Sequence, residues 1–72
     1  MNDRPFLSVV IPAYNEERRI VETLRQVLHY LSGQGYSSEV LVVDDGSTDA
    51  TAALVEGARA SAPALSLLRE PH

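Results

Sequence analysis

The 72-residue sequence has no cysteine, no lysine and no long hydrophobic run. Without cysteine, the chain cannot build a disulfide scaffold, a zinc knuckle, an iron–sulfur cluster or a thiol nucleophile. All 6 basic residues are arginines, and with 10 acidic residues they give a net charge of −4. Because neutralising phosphates requires a basic surface, this balance disfavours a nucleic-acid partner.

No segment approaches the roughly 20 apolar residues that a membrane-spanning helix needs. The first residues include Asp3, and the apolar stretch after them is broken by Pro12, which does not fit a signal peptide. A composition of 44% hydrophobic and 22% charged residues is typical of a soluble globular chain. A chain this short buries only about 60% of the surface that it exposes when unfolded, so a large α/β architecture would be incomplete here.

Three short apolar runs predict β-strands at residues 7–11, 39–43 and 65–68. The first run is β-branched and almost wholly apolar, as is typical of a strand that is buried on both faces, and it is expected to end at Pro12. The second run is interpreted as another buried strand. Strands that alternate with helices pair in parallel through right-handed crossovers, and such a sheet normally carries helices on both faces. The predicted fold class is therefore parallel α/β.

Two helices are predicted between the strands. From Glu16 onward, apolar residues recur at helical spacing; they are Ile20, Leu24, Val27, Leu28 and Leu31. Asn15 is expected to cap this helix and Gly33 to end it. Residues 50–60 are rich in alanine and predict a weakly amphipathic second helix that ends at Pro63. The element order is β-α-β-α-β.

One loop follows each of the first two predicted strands, at the edge where open parallel sheets bind ligands. The first loop contains Tyr14, whose flat ring can stack on a base or a sugar. The second contains Asp44 and Asp45, which act only as hydrogen-bond acceptors when they are ionised, and Gly46, which lets backbone approach a ligand closely. An aromatic ring and two carboxylates that face one crevice suit a base that presents an imino N–H, as uracil and guanine do.

Each of these side chains also has a purely structural interpretation. Pro12 can end a strand, Asn15 can cap a helix, and Glu16 can complement the helix dipole. Tyr14 can pack within its own loop, and residues 47–49 are of types that often cap helices. For the acidic pair the alternative is an Asp-Gly turn, although adjacent carboxylates at the end of a buried strand repel each other and need compensation.

Other functional classes fit the sequence less well. His29 and His72 have no second ligand at a metal-binding spacing and are interpreted as incidental. A dinucleotide-binding domain needs G-x-G-x-x-G after the first strand, where this chain has Pro-Ala-Tyr-Asn-Glu. A receiver-like signalling domain that binds Mg²⁺ stays as an alternative, but its acidic pair usually follows the first strand rather than the second. A non-catalytic nucleotide-binding or assembly segment is the other alternative.

Two motifs together resemble a known family. Residues 8–17 (SVVIPAYNEE) and residues 42–49 (VVDDGSTD) look like the N-terminal part of the family-2 glycosyltransferases of the GT-A fold. The motifs stand in the family's order, separated by a full helix, and the resemblance extends over residues 7–69. The Asn-Glu-Glu-Arg-Arg segment looks closest to the branch that acts on polyprenyl phosphates, such as the dolichyl-phosphate β-glucosyltransferases. The resemblance implies a truncated, Rossmann-like GT-A fold.

The resemblance also implies an activity and a set of site residues. A sugar would pass from a nucleoside diphosphate donor, UDP in preference to GDP, to an acceptor such as a polyprenyl phosphate. By family analogy, the residues of the nucleoside pocket are Pro12, Tyr14, Glu16, Val43 and Asp45. Val43 would contact the nucleoside through its backbone and Asp45 would hydrogen-bond the base, while Asp44 and Gly46 would support the loop.

The sequence lacks two features of the family pattern. Family members carry a later Asp-x-Asp motif that binds metal and diphosphate, and then an acidic catalytic base, and neither is found in these 72 residues. We therefore expect no catalytic residue and no metal ligand in this chain, and a divalent metal, Mg²⁺ or Mn²⁺, only in the full-length enzyme. Residues 1–72 are interpreted as the nucleotide-binding part of an incomplete domain, inactive without its remainder. The expected location is the cytoplasm, with a membrane surface as the alternative for the full-length protein.

Overall fold

Three strands and two helices alternate along residues 6–71, which are the residues that the computed structural model describes. The strands are β1 (Phe6–Ala13), β2 (Ser37–Asp45) and β3 (Leu65–Glu70), and the helices are α1 (Ile20–Ser32) and α2 (Thr51–Arg59). The predicted β-α-β-α-β order is therefore confirmed.

All strands of the sheet are parallel, and their order is β1-β2-β3, so β2 is the central strand. In the pairing of β1 with β2, Val9 is aligned with Val40 and Ala13 with Asp44. On the other side of β2, Val40 is aligned with Leu65. Each helix serves as the crossover that parallel neighbours require. The parallel α/β class is confirmed.

Both helices lie on the same face of the sheet. They pack against each other, and the sheet face opposite them leaves Val10 58% and Leu68 45% exposed. The expectations of helices on both faces and of strands buried on both faces are therefore wrong for residues 6–71. Two crossovers of the same hand that step in one direction, from β1 to β2 to β3, return over the same face.

The hydrophobic core lies between the two helices and the sheet face that they cover. Its buried members are Ala13, Ile20, Leu24, Leu31, Val40, Val42, Val55 and Leu65. The helical spacing of the α1 residues places them along one stripe of that helix, and this stripe packs on the alternate residues of the strands. Among residues 6–71, neither helix has the length and apolar character that crossing a membrane requires.

The opposite face of the sheet, called here the open face, consists of the other set of alternate strand residues. Its apolar members are Val10, Pro12, Leu41, Val43 and Leu68. No helix or strand among the described residues covers it. This face therefore leaves apolar side chains such as Val10 and Leu68 exposed within residues 6–71.

Among the element ends that differ from the sequence-based expectation are those of β1, β2 and α2. β1 does not end at Pro12 but continues through it, with Pro12 aligned with Val43. Proline is tolerated because β1 is an edge strand of the described sheet. β2 extends to Asp45, so the acidic pair belongs to the strand and not to the loop after it. α2 ends at Arg59, ahead of Pro63, because the N–H groups of residues 60–62 donate to carbonyls three residues earlier, and not four as in an α-helix.

We expect the core to depend strongly on Leu24, which is 1% exposed at the centre of the α1 stripe. Leu24→Ala should lower the free energy of unfolding by about 2–5 kcal/mol, because it removes buried methyl groups and leaves a cavity. Val21→Ala is the matched control on the exposed side of the same helix and should change it by less than about 0.5 kcal/mol. Urea unfolding followed by circular dichroism measures both. Equal effects of the two substitutions would contradict this packing.

Candidate functional site

Two loops leave the carboxyl edge of the sheet side by side. The first loop, residues 14–19, follows β1, and the second loop, residues 46–50, follows β2. Because β1 and β2 are parallel neighbours and Ala13 is aligned with Asp44, both loops begin at the same level of the sheet. This juxtaposition is the one that a ligand crevice at the sheet edge requires.

The adjacent carboxylates of Asp44 and Asp45 lie in opposite environments. Asp44 is 0% exposed on the face that the helices cover, whereas Asp45 is exposed at the end of the open face. Successive side chains of a strand point to opposite faces, so the two carboxylates cannot act as one pair in one crevice. The expectation that both carboxylates face the crevice together is therefore wrong, and the strand itself relieves their mutual repulsion.

The buried carboxylate of Asp44 is tied to the second loop and to β3. Its Oδ1 accepts a hydrogen bond from the Ser47 hydroxyl. Its Oδ2 has no hydrogen-bond partner, but the Arg69 Nε lies 3.7 Å away as an ion-pair partner. A buried carboxylate is stable only when it is compensated in this way. The supporting role predicted for Asp44 stays a prediction. Asp44 would support the second loop through its hydrogen bond from Ser47.

Several predicted site residues lie close to the start of the two loops. Tyr14 begins the first loop and is 43% exposed. Gly46 begins the second loop with a φ of 73°, in the left-handed region that glycine adopts without strain. On the open face just below, Pro12 is aligned with Val43. The structure thus places Pro12, Val43 and Asp45 on one face near the carboxyl edge.

A cavity of about 230 Å³ lies beside the end of β1 and the start of α1. Its lining residues are Ile11, Pro12, Glu16, Arg19, Ile20 and Thr23. Of the predicted pocket residues, Pro12 and Glu16 line it and the other three do not. The Glu16 Oε1 accepts hydrogen bonds from Arg19 Nε at 3.0 Å and Nη2 at 2.6 Å. Arg19 is a lining residue that was not predicted from the sequence, although its i, i+3 spacing from Glu16 is one at which oppositely charged side chains pair.

A larger cavity, of about 480 Å³, lies at the opposite end of the fold, between the two helices and the start of β2. Its walls are mostly apolar, and Arg25 is the only charged residue among them. No predicted site residue lines it. Because binding sites combine an apolar wall with several converging polar groups, the carboxyl edge and not this larger cavity carries the candidate chemistry.

Asn15 does not cap α1, contrary to the expectation. The helix begins at Ile20, and Arg19, its N-cap residue, makes no side-chain capping bond. Instead Asn15 has a φ of 50°, and its Oδ1 accepts a hydrogen bond of 2.9 Å from the Thr48 N–H. Its side chain therefore connects the first loop to the second, and the chain needs residues 16–19 to turn into the helix.

Asp49 lies at the start of α2, where residues 47–49 were expected to include a cap. Its Oδ1 accepts hydrogen bonds from the Thr51 N–H at 2.9 Å and from the Thr51 hydroxyl. Desolvation raises the pKa of Asp49, but the hydrogen bonds from Thr51 and from the Glu17 N–H outweigh it and hold the pKa below its ordinary value of 3.8. The ionised form of Asp49 is therefore the one that the fold uses.

Among residues 6–71, no group of three or more His, Cys, Asp or Glu side chains is arranged to hold a metal ion. Mg²⁺ that binds together with substrate phosphates usually takes only one or two protein carboxylates, so this finding concerns only a metal site that the protein builds alone.

Comparison with known proteins points to one family. Residues 8–72 match the family model described as glycosyl transferase family 2. A dolichyl-phosphate beta-glucosyltransferase of Trichomonas vaginalis is 37% identical over 71 residues, which cover 92% of this chain and 22% of the relative. An undecaprenyl-phosphate 4-deoxy-4-formamido-L-arabinose transferase of Shewanella sediminis is 42% identical over 55 residues, which cover 76% of this chain and 17% of the relative.

A mammalian relative shows the same pattern. The dolichyl-phosphate beta-glucosyltransferase of Mus musculus is 46% identical over 50 residues, which cover 62% of this chain and 15% of the relative. The chain therefore spans about a fifth of the length of these curated relatives. The matches confirm the resemblance that the two sequence motifs carry, including its branch, and they do not support the receiver-like or dinucleotide-binding alternatives.

We expect the stability contributed by Asp49 to depend on pH. Because its pKa is lower in the folded chain than in the unfolded chain, this contribution is complete above pH 3.8 and is lost as the pH falls through the folded pKa. Asp49→Asn should therefore be less stable than the wild type at pH 7, and the difference should shrink on acidification to pH 2–3. Urea unfolding at a series of pH values measures it.

The matched variant is Thr51→Val, which keeps the side-chain shape and removes the hydroxyl that donates to Asp49 and accepts the Glu16 N–H. Comparison of the double variant with the two single variants isolates the part shared with Asp49. If the Asp49–Thr51 hydrogen bond carries the effect, the double variant should lose less stability than the two single losses added together. A difference between wild type and Asp49→Asn that is constant from pH 7 to pH 2 would contradict the proposed linkage.

Proposed function

The chain belongs to glycosyl transferase family 2, and we propose that it forms the nucleoside-binding part of an enzyme that transfers a sugar from a nucleoside diphosphate to an acceptor. The observation that carries this proposal is the parallel pairing of β1 with β2, which puts the loop of Tyr14 and Glu16 beside the loop of Gly46 at one sheet edge. In open parallel sheets this edge is where ligands bind.

The nucleoside would bind through an aromatic ring and a carboxylate. Tyr14 offers a half-exposed ring for stacking. Asp45, exposed at the end of β2, accepts hydrogen bonds from a base that presents an imino N–H, which selects uracil or guanine over cytosine and adenine. The likeness to the polyprenyl-phosphate branch favours a UDP-sugar, with a GDP-sugar as the second candidate.

The remaining site residues would shape the pocket. Pro12 and Glu16 line the small cavity beside α1 and would bound the nucleoside on that side. Val43, aligned with Pro12, would contact the nucleoside through its backbone. Gly46 would leave room for the ligand, because its backbone carries no side chain at the turn, and Asp44 would hold the second loop through Ser47. No residue of this chain is assigned to catalysis.

The proposed function also involves a metal ion and an acceptor. A divalent metal, Mg²⁺ or Mn²⁺, would neutralise the diphosphate of the donor, with ligands outside residues 6–71. The relatives are named for transfer to dolichyl phosphate and to undecaprenyl phosphate, so we propose a polyprenyl phosphate as the acceptor. An acceptor of this kind is a lipid, which would place the full-length protein at a membrane surface, on its cytoplasmic side.

We expect the full-length protein containing these residues to bind UDP, or else GDP, more tightly than CDP and ADP in the presence of Mn²⁺. Asp45→Ala should weaken that binding roughly 10- to 100-fold, because a hydrogen bond to a charged group is worth about 1.5–3 kcal/mol and 1.4 kcal/mol is tenfold. Isothermal titration calorimetry with the four nucleoside diphosphates measures both the preference and the loss.

The matched control is Glu70→Ala. Glu70 is aligned with Asp45 on the neighbouring strand, so its removal changes the local charge equally without removing the proposed base contact, and binding should change less than threefold. If a folded full-length protein bound no nucleotide, the proposed function would be wrong. If Asp45→Ala bound UDP as well as the wild type, the assignment of Asp45 would be wrong.

Transfer itself should require more than this chain. The full-length protein should move labelled glucose from UDP-glucose to a polyprenyl phosphate in detergent, whereas residues 1–72 alone should give no product because they lack an Asp-x-Asp motif and a catalytic base. Thin-layer chromatography of the lipid product measures the transfer. Turnover by residues 1–72 alone would contradict the division of roles, and an inactive full-length protein that still binds nucleotide would favour a non-catalytic binding segment.

A further inference from the structure

The first loop gives its backbone N–H groups to side chains that follow β2. The Asn15 N–H donates to the Ser47 Oγ at 2.8 Å, and the Glu16 N–H donates to the Thr51 Oγ1 at 2.8 Å. The Glu17 N–H donates to the Asp49 Oδ2 at 3.2 Å. Amide groups in the turn before a helix normally find no backbone partner, and here a side-chain oxygen that follows β2 accepts a hydrogen bond from each of these successive residues.

The second loop donates in return. The Thr48 N–H donates to the Asn15 Oδ1 at 2.9 Å, and the Ala50 N–H donates to the Glu17 Oε1 at 2.8 Å. Each loop therefore satisfies amide groups of the other. We call this set of reciprocal hydrogen bonds the loop clamp; its members are Asn15, Glu16, Glu17, Ser47, Thr48, Asp49, Ala50 and Thr51.

The loop clamp is anchored on buried groups. Ser47, which accepts the Asn15 N–H, donates its own hydroxyl proton to the buried Asp44. Thr51 is 0% exposed, and it accepts the Glu16 N–H while it donates to Asp49. The end of β2 and the start of α2 thus hold the first loop, in addition to its contact with α1, in which the Glu16 carbonyl accepts the Ile20 N–H at 2.8 Å.

We propose that Asn15 is a positioning residue for the nucleoside site, fixing Tyr14 and Glu16 at a set distance from Asp45. This inference rests on the proposed function and adds a residue that the nucleoside pocket, as assigned above, does not include. Asn15 would not touch the ligand. It would preorganise the two halves of the site, so that nucleoside binding would not carry the entropy cost of ordering the first loop.

The chemistry of asparagine suits this role in two separate ways. Its φ of 50° lies in the left-handed region, which asparagine and glycine adopt more readily than other residues. Its Oδ1 is also the acceptor for the Thr48 N–H. Asn15→Gly keeps the backbone conformation and removes the acceptor, whereas Asn15→Asp keeps both.

The experiment compares these two variants in the full-length protein by UDP titration and by hydrogen–deuterium exchange. Asn15→Gly should weaken UDP binding about tenfold in molecules that are still folded, and should speed amide exchange in residues 14–17 and 48–50. Asn15→Asp should bind UDP with an affinity within about threefold of that of the wild type. Val27→Ala, a half-buried position on α1 away from both loops, is the control for general destabilisation and should change UDP affinity less than twofold.

The outcomes separate this inference from the proposed function. Wild-type binding of UDP together with unchanged affinity in Asn15→Gly would overturn the positioning role and leave the proposed function standing. Equal losses in Asn15→Gly and Val27→Ala would also overturn it, because the effect would then be one of stability. A folded wild-type protein that binds no nucleotide would overturn the proposed function and, with it, the positioning role.

Discussion

The parallel register of β1 with β2 is the constraint on which the rest of the structure depends. Ala13, the last residue of β1, is aligned with Asp44, the last but one of β2, so the strands end within one residue of each other and their loops begin side by side. A slip of one residue would move every side chain of a strand to the other face. Asp44 would then leave the buried face, and Asp45 would enter it. The hydrogen bonds between the loops and the position of the candidate site both follow from this single alignment.

The acidic pair illustrates how one strand gives the same residue type two roles. Asp44 is buried, and Ser47 and Arg69 compensate it, so its chemistry is directed inward to hold the second loop. Asp45 is the next residue and is exposed on the open face, where an external hydrogen-bond donor can reach it. The β-strand alternation thus gives two adjacent carboxylates opposite environments without any intervening sequence, and only the exposed one is available for the base contact proposed above.

Much of the fold could be predicted from local patterns, and what could not depends on contacts between distant segments. The spacing of Ile20, Leu24 and Leu31 predicts α1, and its end at Gly33 follows from glycine's usual place after a helix. The two motifs also identify the family. Sequence spacing alone did not reveal that both helices share one face, because this requires the strand order. It also misassigned Asn15, a good helix cap in isolation, whose actual partner Thr48 lies 33 residues further along the chain.

The loops of this site are held by polar contacts and not by the core. The hydrophobic cluster ends at Ala13 and Val42, below the level at which the loops begin, and the first loop is largely exposed above it. Hydrogen bonds between exposed groups are individually weak, about 0.5–1.5 kcal/mol each. They gain strength as a set when some members are buried, as Asp44 and Thr51 are. Because the same hydrogen bonds tie the ends of β1 and β2 together, a change that loosens this edge of the sheet also changes the geometry of the candidate site.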